Sequence, residues 1–333
     1  MNKKERIMAA IKGEKVDRIP YSLWSHMPGI DLDSDKIAET TYQFYKEHDL
    51  DFIKTMNNGM YSIEDFGCKI DYSDILTGGV AKVTSTPVNS PEDWKKIKAV
   101  SIEQGALKRE QDYLEKLLKK LDGEPVPVIF TVFSPITTAN KLCGGKIREY
   151  IAAGAGEDVH KALQEITKTT CALVERVIEM GADGVFLASQ MSSYAVTEES
   201  FYAEYGVPYD VKVLNASKGW CNALHAHGDD IMFNLLKDYP VQIFNWHAWQ
   251  TLPTVEEAAL YTGKCLMGGI ERMDITNHKK NALRHEIYET IKATNGRHLI
   301  LTPGCVIRYP LDEEMMAYVK QVKEETERLF FAK

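Results

Sequence analysis

The feature that most constrains the fold of this chain is a repeated alternation of short apolar segments with amphipathic, helix-like segments. The apolar segments are continuous, and Val126–Val132 and Gly184–Ala188 are the clearest examples. Continuous apolar runs are typical of strands buried on both faces, as in parallel sheets covered by helices. About eight strand–helix units in one chain predict a closed (β/α)8 TIM barrel. We expect residues 1–333 to form this single α/β barrel domain, with an N-terminal helical extension.

Predicted strands and helices follow one another in order along the chain. The strands are expected at 21–24, 51–56, 126–132, 184–188, 220–225, 241–244, 264–267 and 298–301. The helices are expected at 2–12, 34–47, 102–121, 136–142, 157–180, 198–217, 231–237, 254–261, 279–293 and 311–330. A short antiparallel pair, 68–72 and 80–84, is predicted around Gly78 and Gly79. An open doubly wound sheet is the alternative, but no G-x-G-x-x-G fingerprint follows any strand.

Composition and charge exclude several classes of function. The chain has a net charge of -8 and no basic block, which argues against nucleic acid as a partner. No apolar run approaches the length of a membrane span, and the basic N-terminus leads into a charge-broken helix, so we expect a cytoplasmic protein. Six scattered cysteines without C-x-x-C pairing indicate reduced thiols rather than a disulfide framework.

The strongest candidate for chemistry is a His-x-His pair at the end of an apolar run. His225 and His227 follow Trp220–Leu224, and side chains two residues apart share one face of a strand. Cys305 lies in a Pro-Gly turn after the last predicted strand. Two imidazoles and one thiolate are the ligand count expected of a catalytic zinc with one open position. The alternative is that the histidines and the cysteine are ordinary core residues.

Other polar and aromatic residues fall just past predicted strand ends, which share one mouth in a barrel. His247 is a candidate fourth ligand or general acid, or else a loop histidine stacked on Trp246 and Trp249. Asp229 is a candidate to orient an imidazole, or else a helix cap. An aromatic, uncharged substrate pocket is predicted from Trp24, His26, Met27, Asn57, Asn58, Tyr61, Gln190, Met191 and Tyr194. Such a lining favours a small neutral or aromatic substrate.

A series of short motifs runs through nearly the whole chain. They are Arg18-Ile19-Pro20, Phe133-Ser134-Pro135-Ile136-Thr137, Gly181 to Ala188, Pro208-Tyr209, Gly268-Gly269-Ile270 and Leu301 to Cys305. In this order the motifs resemble the uroporphyrinogen decarboxylase family in its broad sense, which includes corrinoid-dependent methyltransferases. The resemblance implies a (β/α)8 barrel, in agreement with the pattern of strands and helices.

The chain differs from true decarboxylases of that family where their substrate binds. The arginine-rich segment that pairs with porphyrinogen carboxylates is replaced by Ser22–Met27, and the family's pyrrole-binding aspartate would fall at Asn58. A neutral amide is a poor partner for developing positive charge on a pyrrole, and an acidic protein repels a polycarboxylate. Decarboxylation of uroporphyrinogen is therefore the alternative function rather than the expected one.

The methyltransferase branch of the family fits the residues better. Its zinc motif is His-x-Cys followed by a distant Cys in a Pro-Gly-Cys turn, and His225, His227 and Cys305 occupy those places. Relatives that demethylate methyl ethers look to use a second set of metal ligands, two glutamates and a histidine. Glu204 and His225 have part of that spacing, while Ser189 stands at the first glutamate position. The sequence does not decide between the two ligand sets. The alternative for Glu204 is a solvated helix residue with no role in the site.

The ligand set has a consequence for substrate class. Two thiolates and one imidazole leave a zinc centre neutral, whereas one thiolate and two imidazoles leave it at +1, a stronger Lewis acid. The cationic centre favours a methyl group leaving oxygen or nitrogen over a thiol acceptor. Because the chain lacks the Asp-x-His-x-x-Gly signature of corrinoid modules, the resemblance implies a separate corrinoid (cobalamin) protein as partner. The resemblance also implies a possible homodimer. A non-catalytic barrel that binds a small ligand is the remaining alternative.

Overall fold

Seven parallel strands curl into one sheet in the computed structural model, which describes residues 1–75 and 81–331. The strand order is β1-β4-β5-β6-β7-β8-β9, so each neighbour in the sheet is also the next barrel strand along the chain. The bounds are β1 Ile53–Lys54, β4 Val128–Phe133, β5 Gly184–Ser189, β6 Ala223–Ala226, β7 Ile243–Trp246, β8 Cys265–Ile270 and β9 Leu299–Pro303. Every residue of these strands is buried, as the continuous apolar runs predict.

An extended segment, residues 20–25, occupies the eighth strand position between β9 and β1. On one side Leu301 N–H donates to Pro20 O at 2.8 Å, and Ser22 N–H donates to Leu301 O at 3.1 Å. On the other side Asp51 N–H donates to Tyr21 O at 2.8 Å, and the Ser22 hydroxyl donates to Phe52 O. These bonds close the barrel, so the predicted (β/α)8 class is confirmed.

The helices surround the barrel in the predicted order. Their bounds are α1 Lys3–Lys12, α2 Ser34–Glu47, α3 Tyr61–Glu64, α4 Gly105–Leu121, α5 Pro135–Leu142, α6 Ile147–Tyr150, α7 Gly156–Met180, α8 Glu199–Tyr205, α9 Val207–Ala216, α10 Phe233–Leu236, α11 Val255–Tyr261, α12 Arg272–Thr276, α13 Lys280–Thr294 and α14 Glu313–Phe331. The single helix predicted over 198–217 is wrong, because the chain breaks at Gly206 just before Pro208 and forms α8 and α9. The helix predicted over 231–237 is limited to α10.

The N-terminal helix α1 covers the end of the barrel where the strands begin. Lys4 N–H donates to Pro125 O just before β4, and Lys4 Nζ lies 2.6 Å from Asp183 Oδ1 just before β5. Arg6 is buried and pairs with Asp51 next to β1 at 2.7 Å. These contacts confirm the predicted N-terminal helical extension and leave the opposite end of the barrel for a site.

The predicted antiparallel pair lies outside the barrel. It consists of β2, Lys69–Asp71, and β3, Lys82–Ser85. The predicted Gly78, Gly79 and Val80 fall outside the described residues. Within 1–75 and 81–331, none of the helices has the length and apolar character needed to cross a bilayer.

Candidate metal centre

Four potential metal ligands lie at the carboxyl ends of the barrel strands β6, β7 and β9. His225 lies on β6 and His227 comes one residue after it, while His247 directly follows β7. Cys305 comes two residues after β9. Because the carboxyl ends of parallel strands meet at one end of a barrel, these side chains converge at the mouth opposite α1.

The four side chains form one compact cluster. One nitrogen from each imidazole and the sulfur of Cys305 all lie within 4.8 Å of one another. His225 Nε2 is 3.3 Å from His227 Nδ1, and Cys305 Sγ is 3.8 Å from that same nitrogen. Ligands of a tetrahedral zinc, with zinc–nitrogen distances of about 2.0–2.1 Å and zinc–sulfur of about 2.3 Å, lie about 3.3 Å (N to N) and 3.6 Å (N to S) apart. These two spacings therefore fit a single zinc-sized ion.

His225 is held in one orientation by its neighbour on the sheet. Its Nδ1 lies 2.5 Å from Asn245 Oδ1, and Asn245 Nδ2 donates to Met267 O at 2.6 Å. Because the Asn245 amide uses its NH₂ group on the carbonyl, its oxygen accepts the Nδ1 hydrogen of His225. The Nε2 lone pair is then free to face His227, as a metal ligand requires.

His247 joins the cluster through a second chain of hydrogen bonds. Its Nδ1 lies 2.6 Å from Gln250 Oε1, and Gln250 Nε2 donates to Glu271 Oε1 at 2.6 Å. The Nε2 of His247 is buried and has no hydrogen-bond partner in the described structure. A buried nitrogen without a partner is costly unless a ligand satisfies it, so this atom points to a bound group.

The turn that carries Cys305 fits only because residue 304 is glycine. A Cβ at Gly304 would lie 2.7 Å from Trp246 O and 2.9 Å from the Cα of His247. This close approach of two backbones brings the cysteine turn directly onto the end of β7.

Burial keeps the imidazoles neutral. It holds the pKa of His225 well below its usual range, lowers that of His227 to about 4, and lowers that of His247. The neighbouring imidazoles lower the values for His225 and His227 further. Burial raises the pKa of the Cys305 thiol. Neutral imidazoles with free lone pairs are the state that binds a cation.

Some of the predicted pocket residues do line the mouth. His26 and Asn58 border a cavity of about 210 Å³ together with Asp31 and Tyr72. Trp24 and Met27 are buried. The ring of Trp24 packs edge-on against Phe186, and Phe186 in turn stacks on His225. Burial lowers the pKa of His26 to about 4, and the positive charges of Lys54, Lys141 and Arg272 contribute to the lowering.

The other predicted pocket residues are turned to structural contacts. The Asn57 amide donates to Glu110 Oε2 at 2.9 Å, and the Tyr61 hydroxyl donates to Thr131 O at 2.8 Å. Gln190 lies at the strand end, where its N–H donates to Thr137 Oγ1. Met191 lines a separate groove with Arg148. The side chain of Tyr194 is exposed, and its hydroxyl bonds Glu199.

The glutamate-based ligand set is not assembled. Glu204 is on the outer side of α8, with its side chain 60% exposed and its Oε1 3.3 Å from His160 Nε2. Ser189 uses its hydroxyl on Tyr202 at 2.7 Å. The exposed Asp229 does not cap α10, whose N-cap is Met232, and its link to the cluster is electrostatic, through His247. The structure therefore does not bring Glu204 to the cluster, because its helix turns the side chain to solvent.

Three basic residues at the mouth are not evident from the sequence motifs. They are Lys54 on β1, Lys141 on α5 and Arg272, the first residue of α12. The one visible signal is Lys54, a charged residue inside the apolar segment Asp51–Met56. The predicted uncharged lining of the substrate pocket therefore leaves out three charged residues.

A (β/α)8 barrel with a three-histidine, one-cysteine cluster at the carboxyl ends of its strands is the class of protein that this fold and site define. Residues 2–325 match the family model described as uroporphyrinogen decarboxylase (URO-D). The chain belongs to this family.

The chain is also similar to named relatives and solved structures. It is 23% identical over 229 residues to methylcobamide:CoM methyltransferase MtbA of Methanosarcina acetivorans, and 24% identical to that of Methanosarcina mazei. Each alignment covers 65% of this chain and 66% of the relative, just under two thirds of it. A solved methyltransferase from Methanosarcina mazei shares the fold, with a TM-score of 0.84, 17% identity and coverage of 98% of this chain and 99% of that one. A B12-independent methionine synthase from a Shewanella species superposes with a TM-score of 0.62 and 13% identity, covering 98% of this chain and 100% of that one.

Proposed function

We propose that this protein is a corrinoid-dependent methyltransferase that moves a methyl group between a small molecule and the cobalt of a corrinoid on a separate protein. The observation that carries the proposal is the cluster of His225, His227, His247 and Cys305 at the barrel mouth. The support from comparison is that the named relatives are methylcobamide:CoM methyltransferases. The sequence offers no corrinoid-binding signature, which is why we propose a separate carrier protein.

We propose that the cluster holds a zinc ion. His225, His227 and Cys305 would bind it, and His247, with its unpartnered Nε2, would be the fourth ligand in the absence of substrate. One thiolate and neutral imidazoles leave such a centre at +1, whether two or three imidazoles bind. When bound, the ion would supply Lewis acidity toward a substrate heteroatom.

The protein's own residues prepare the site for that role. Asn245 fixes the tautomer of His225, and Gln250 fixes that of His247. The buried walls around His225 exclude water from its ring, since Phe186 stacks on it at 5.2 Å between centroids. Fixed ligands in a partly dry mouth are the arrangement that a reactive heteroatom requires.

We further propose that the methyl group is carried on oxygen or nitrogen, because the cationic ligand set differs from the neutral set that suits a thiolate. The relatives named for coenzyme M keep a thiol acceptor as the second candidate. The two candidates differ in the heteroatom that exchanges the methyl group, and not in the cobalt chemistry.

The test is direct measurement of metal content and methyl transfer. Purified protein is analysed for zinc and then incubated with free cob(I)alamin or methylcobalamin as the corrinoid probe. We expect about one zinc per chain and methylation of cob(I)alamin by methyl ethers or methylamines. His227→Ala and Cys305→Ala are expected to lose both, and Glu204→Ala to keep both. Turnover with thiols alone would contradict the oxygen or nitrogen assignment, and absence of any corrinoid reaction would contradict the class. Carbon dioxide release from uroporphyrinogen would instead support the decarboxylase.

A further inference from the structure

The barrel mouth contains three basic side chains that have no acidic partner in the part of the chain that the structure describes. Within the described residues, Lys54, Lys141 and Arg272 form no ion pair, whereas basic side chains elsewhere, such as Lys46, Arg109 and Arg284, pair with acidic residues. Each contacts a backbone carbonyl instead: Lys54 Nζ donates to Thr55 O at 3.1 Å, Lys141 Nζ to Gly59 O at 3.3 Å, and Arg272 Nη1 to Val306 O at 3.3 Å. Neutral carbonyls do not balance a full charge.

Lys54 is the most deeply buried of the three basic side chains. It is only 6% exposed, and its Nζ lies 5.0 Å from the centre of the Phe186 ring that stacks on His225. Burial lowers the pKa of Lys54 to about 8, so most of it is charged at pH 7. A lysine buried without a carboxylate costs stability, and such groups are retained mainly for function.

The other two cations border the same space. The residue that accepts the Arg272 hydrogen bond, Val306, is next to Cys305 in sequence, and Arg272 Nε is buried with no hydrogen-bond partner among residues 1–75 and 81–331. Lys141 lies over the Phe133 ring at 4.7 Å and bonds the carbonyl of Gly59, whose Cα faces the His26 ring. The cations thus approach the cluster from three different barrel segments.

The carboxylates that face the mouth are engaged elsewhere. Glu271 accepts from Gln250 Nε2 at 2.6 Å and from Met273 N–H at 2.8 Å. Asp31 lies in the cavity beside Asn58, where burial raises its pKa to about 6, and the cation that acts on its charge is Arg109 rather than any of the three. A zinc ion in the cluster would add further positive charge. A chain with a net charge of -8 therefore places a locally cationic surface at its candidate site.

We propose that the small molecule that exchanges its methyl group here carries an acidic group, a carboxylate, sulfonate or phosphate, which pairs with one or more of Lys54, Lys141 and Arg272. This inference rests on the proposed function and names its substrate class. A partner protein does not supply the anion, because Lys54 is too deeply buried to reach its surface.

The experiment compares matched probes that differ only in the acidic group. The pairs are methoxyacetate and 2-methoxyethanol, N-methylglycine and N-methylethanolamine, and 2-mercaptoethanesulfonate and 2-mercaptoethanol. Binding to the zinc-loaded protein is measured by calorimetry, with no corrinoid present. In at least one pair we expect the acidic member to bind tenfold or more tightly, and inorganic sulfate to compete with it.

Variants then assign the preference to the cations. Lys54→Met, Lys141→Met and Arg272→Met each remove one charge, and Lys36→Met, on an exposed lysine of α2, is the matched control. At least one of the three is expected to lose most of the tenfold preference while zinc content is unchanged, and the control to keep it. Equal binding of both members in every pair would overturn the proposal. So would loss of zinc in Lys54→Met, because the lysine would then support the thiolate of Cys305 instead.

The two proposals fail in different ways. A preference for acidic probes without any methyl transfer to cob(I)alamin would sink the proposed function and leave the anion site in place. Methyl transfer from neutral donors as fast as from acidic ones, with no effect of the three substitutions on KM, would sink the anion site and leave the function.

Discussion

The Nδ1 of His225 and the Oδ1 of Asn245 lie 2.5 Å apart across the paired strands β6 and β7. The two residues are directly opposite each other in register, so the contact is built into the sheet rather than into a loop. Asn245 is itself anchored on Met267 O of β8. Three consecutive strands therefore determine which nitrogen of His225 is available to a metal.

Replacing Asn245 tests this support. Asn245→Leu removes the acceptor, so we expect the affinity for zinc to fall by about 10–100-fold, the usual cost of losing such an orienting group. Asn245→Asp keeps an acceptor for His225 and is expected to lose much less. Competition with a chromophoric chelator measures both affinities. Equal affinities of Asn245→Leu and the wild type would mean that His225 needs no orienting partner.

Zinc binding should release about one proton per chain at pH 7. The imidazoles are already neutral there, since burial lowers the pKa of His227 to about 4, whereas burial raises the pKa of the Cys305 thiol and keeps it protonated. The metal therefore competes with the thiol proton, and the apparent affinity falls about tenfold per pH unit as pH decreases from 7 to 5. Calorimetry in buffers of different ionisation heat counts the protons. Cys305→Ser is expected to abolish the release, and release of two or more protons would place charged imidazoles in the apo site.

Glu204 separates the two ligand sets. Because its carboxylate pairs with His160 on the outer side of α8, Glu204→Gln is expected to change zinc content and affinity by less than twofold. His227→Ala is the comparison, and we expect it to lose nearly all bound zinc. A large loss of metal in Glu204→Gln, measured by elemental analysis, would show that α8 can turn this residue inward and would revive the glutamate-based set.

The cysteine turn depends on the missing side chain of Gly304. In Gly304→Ala the new Cβ would meet Trp246 O at 2.7 Å and the Cα of His247 at 2.9 Å, so one backbone segment must move. We expect zinc affinity to fall at least tenfold. Gly268→Ala, on β8, is the matched control, because its new Cβ meets nothing closer than 3.9 Å. Similar affinities for the two variants would show that the turn adapts without displacing Cys305.

The strand pattern and the His-x-His pair were predictable because both follow from local geometry. Continuous apolar runs report burial on both faces, and a spacing of two residues places His225 and His227 on one side. The position of His247 just past a strand made it a candidate fourth ligand, but the same position suits a loop histidine, and its place in the cluster depends on Gln250 and on the approach of Gly304. Membership of one site across separate strands is a property of tertiary packing.

The contacts of the predicted pocket residues also depend on tertiary packing. Asn57 and Tyr61 follow β1 as pocket residues should, yet their polar atoms reach Glu110 and Thr131. The sequence also cannot show that Lys54 has no acidic partner among the described residues, since any acidic residue of the chain could form a salt bridge with it. Only the coordinates show which charges remain unpaired.

Removing the buried charge of Lys54 should stabilise the protein. Burial lowers its pKa from 10.5 to about 8 in the folded chain, so at pH 7 the folded state holds a charge that the unfolded state accommodates more easily. We expect Lys54→Met to raise the free energy of unfolding at pH 7 by about 1–3 kcal/mol. The folded state binds fewer protons than the unfolded state between pH 8 and 10.5, so stability from this residue rises with pH across that window. The gain in Lys54→Met should accordingly shrink from pH 7 to pH 10. Urea unfolding at both pH values measures it, with Lys36→Met as the unchanged control, and a destabilised Lys54→Met would assign the lysine a structural contact instead.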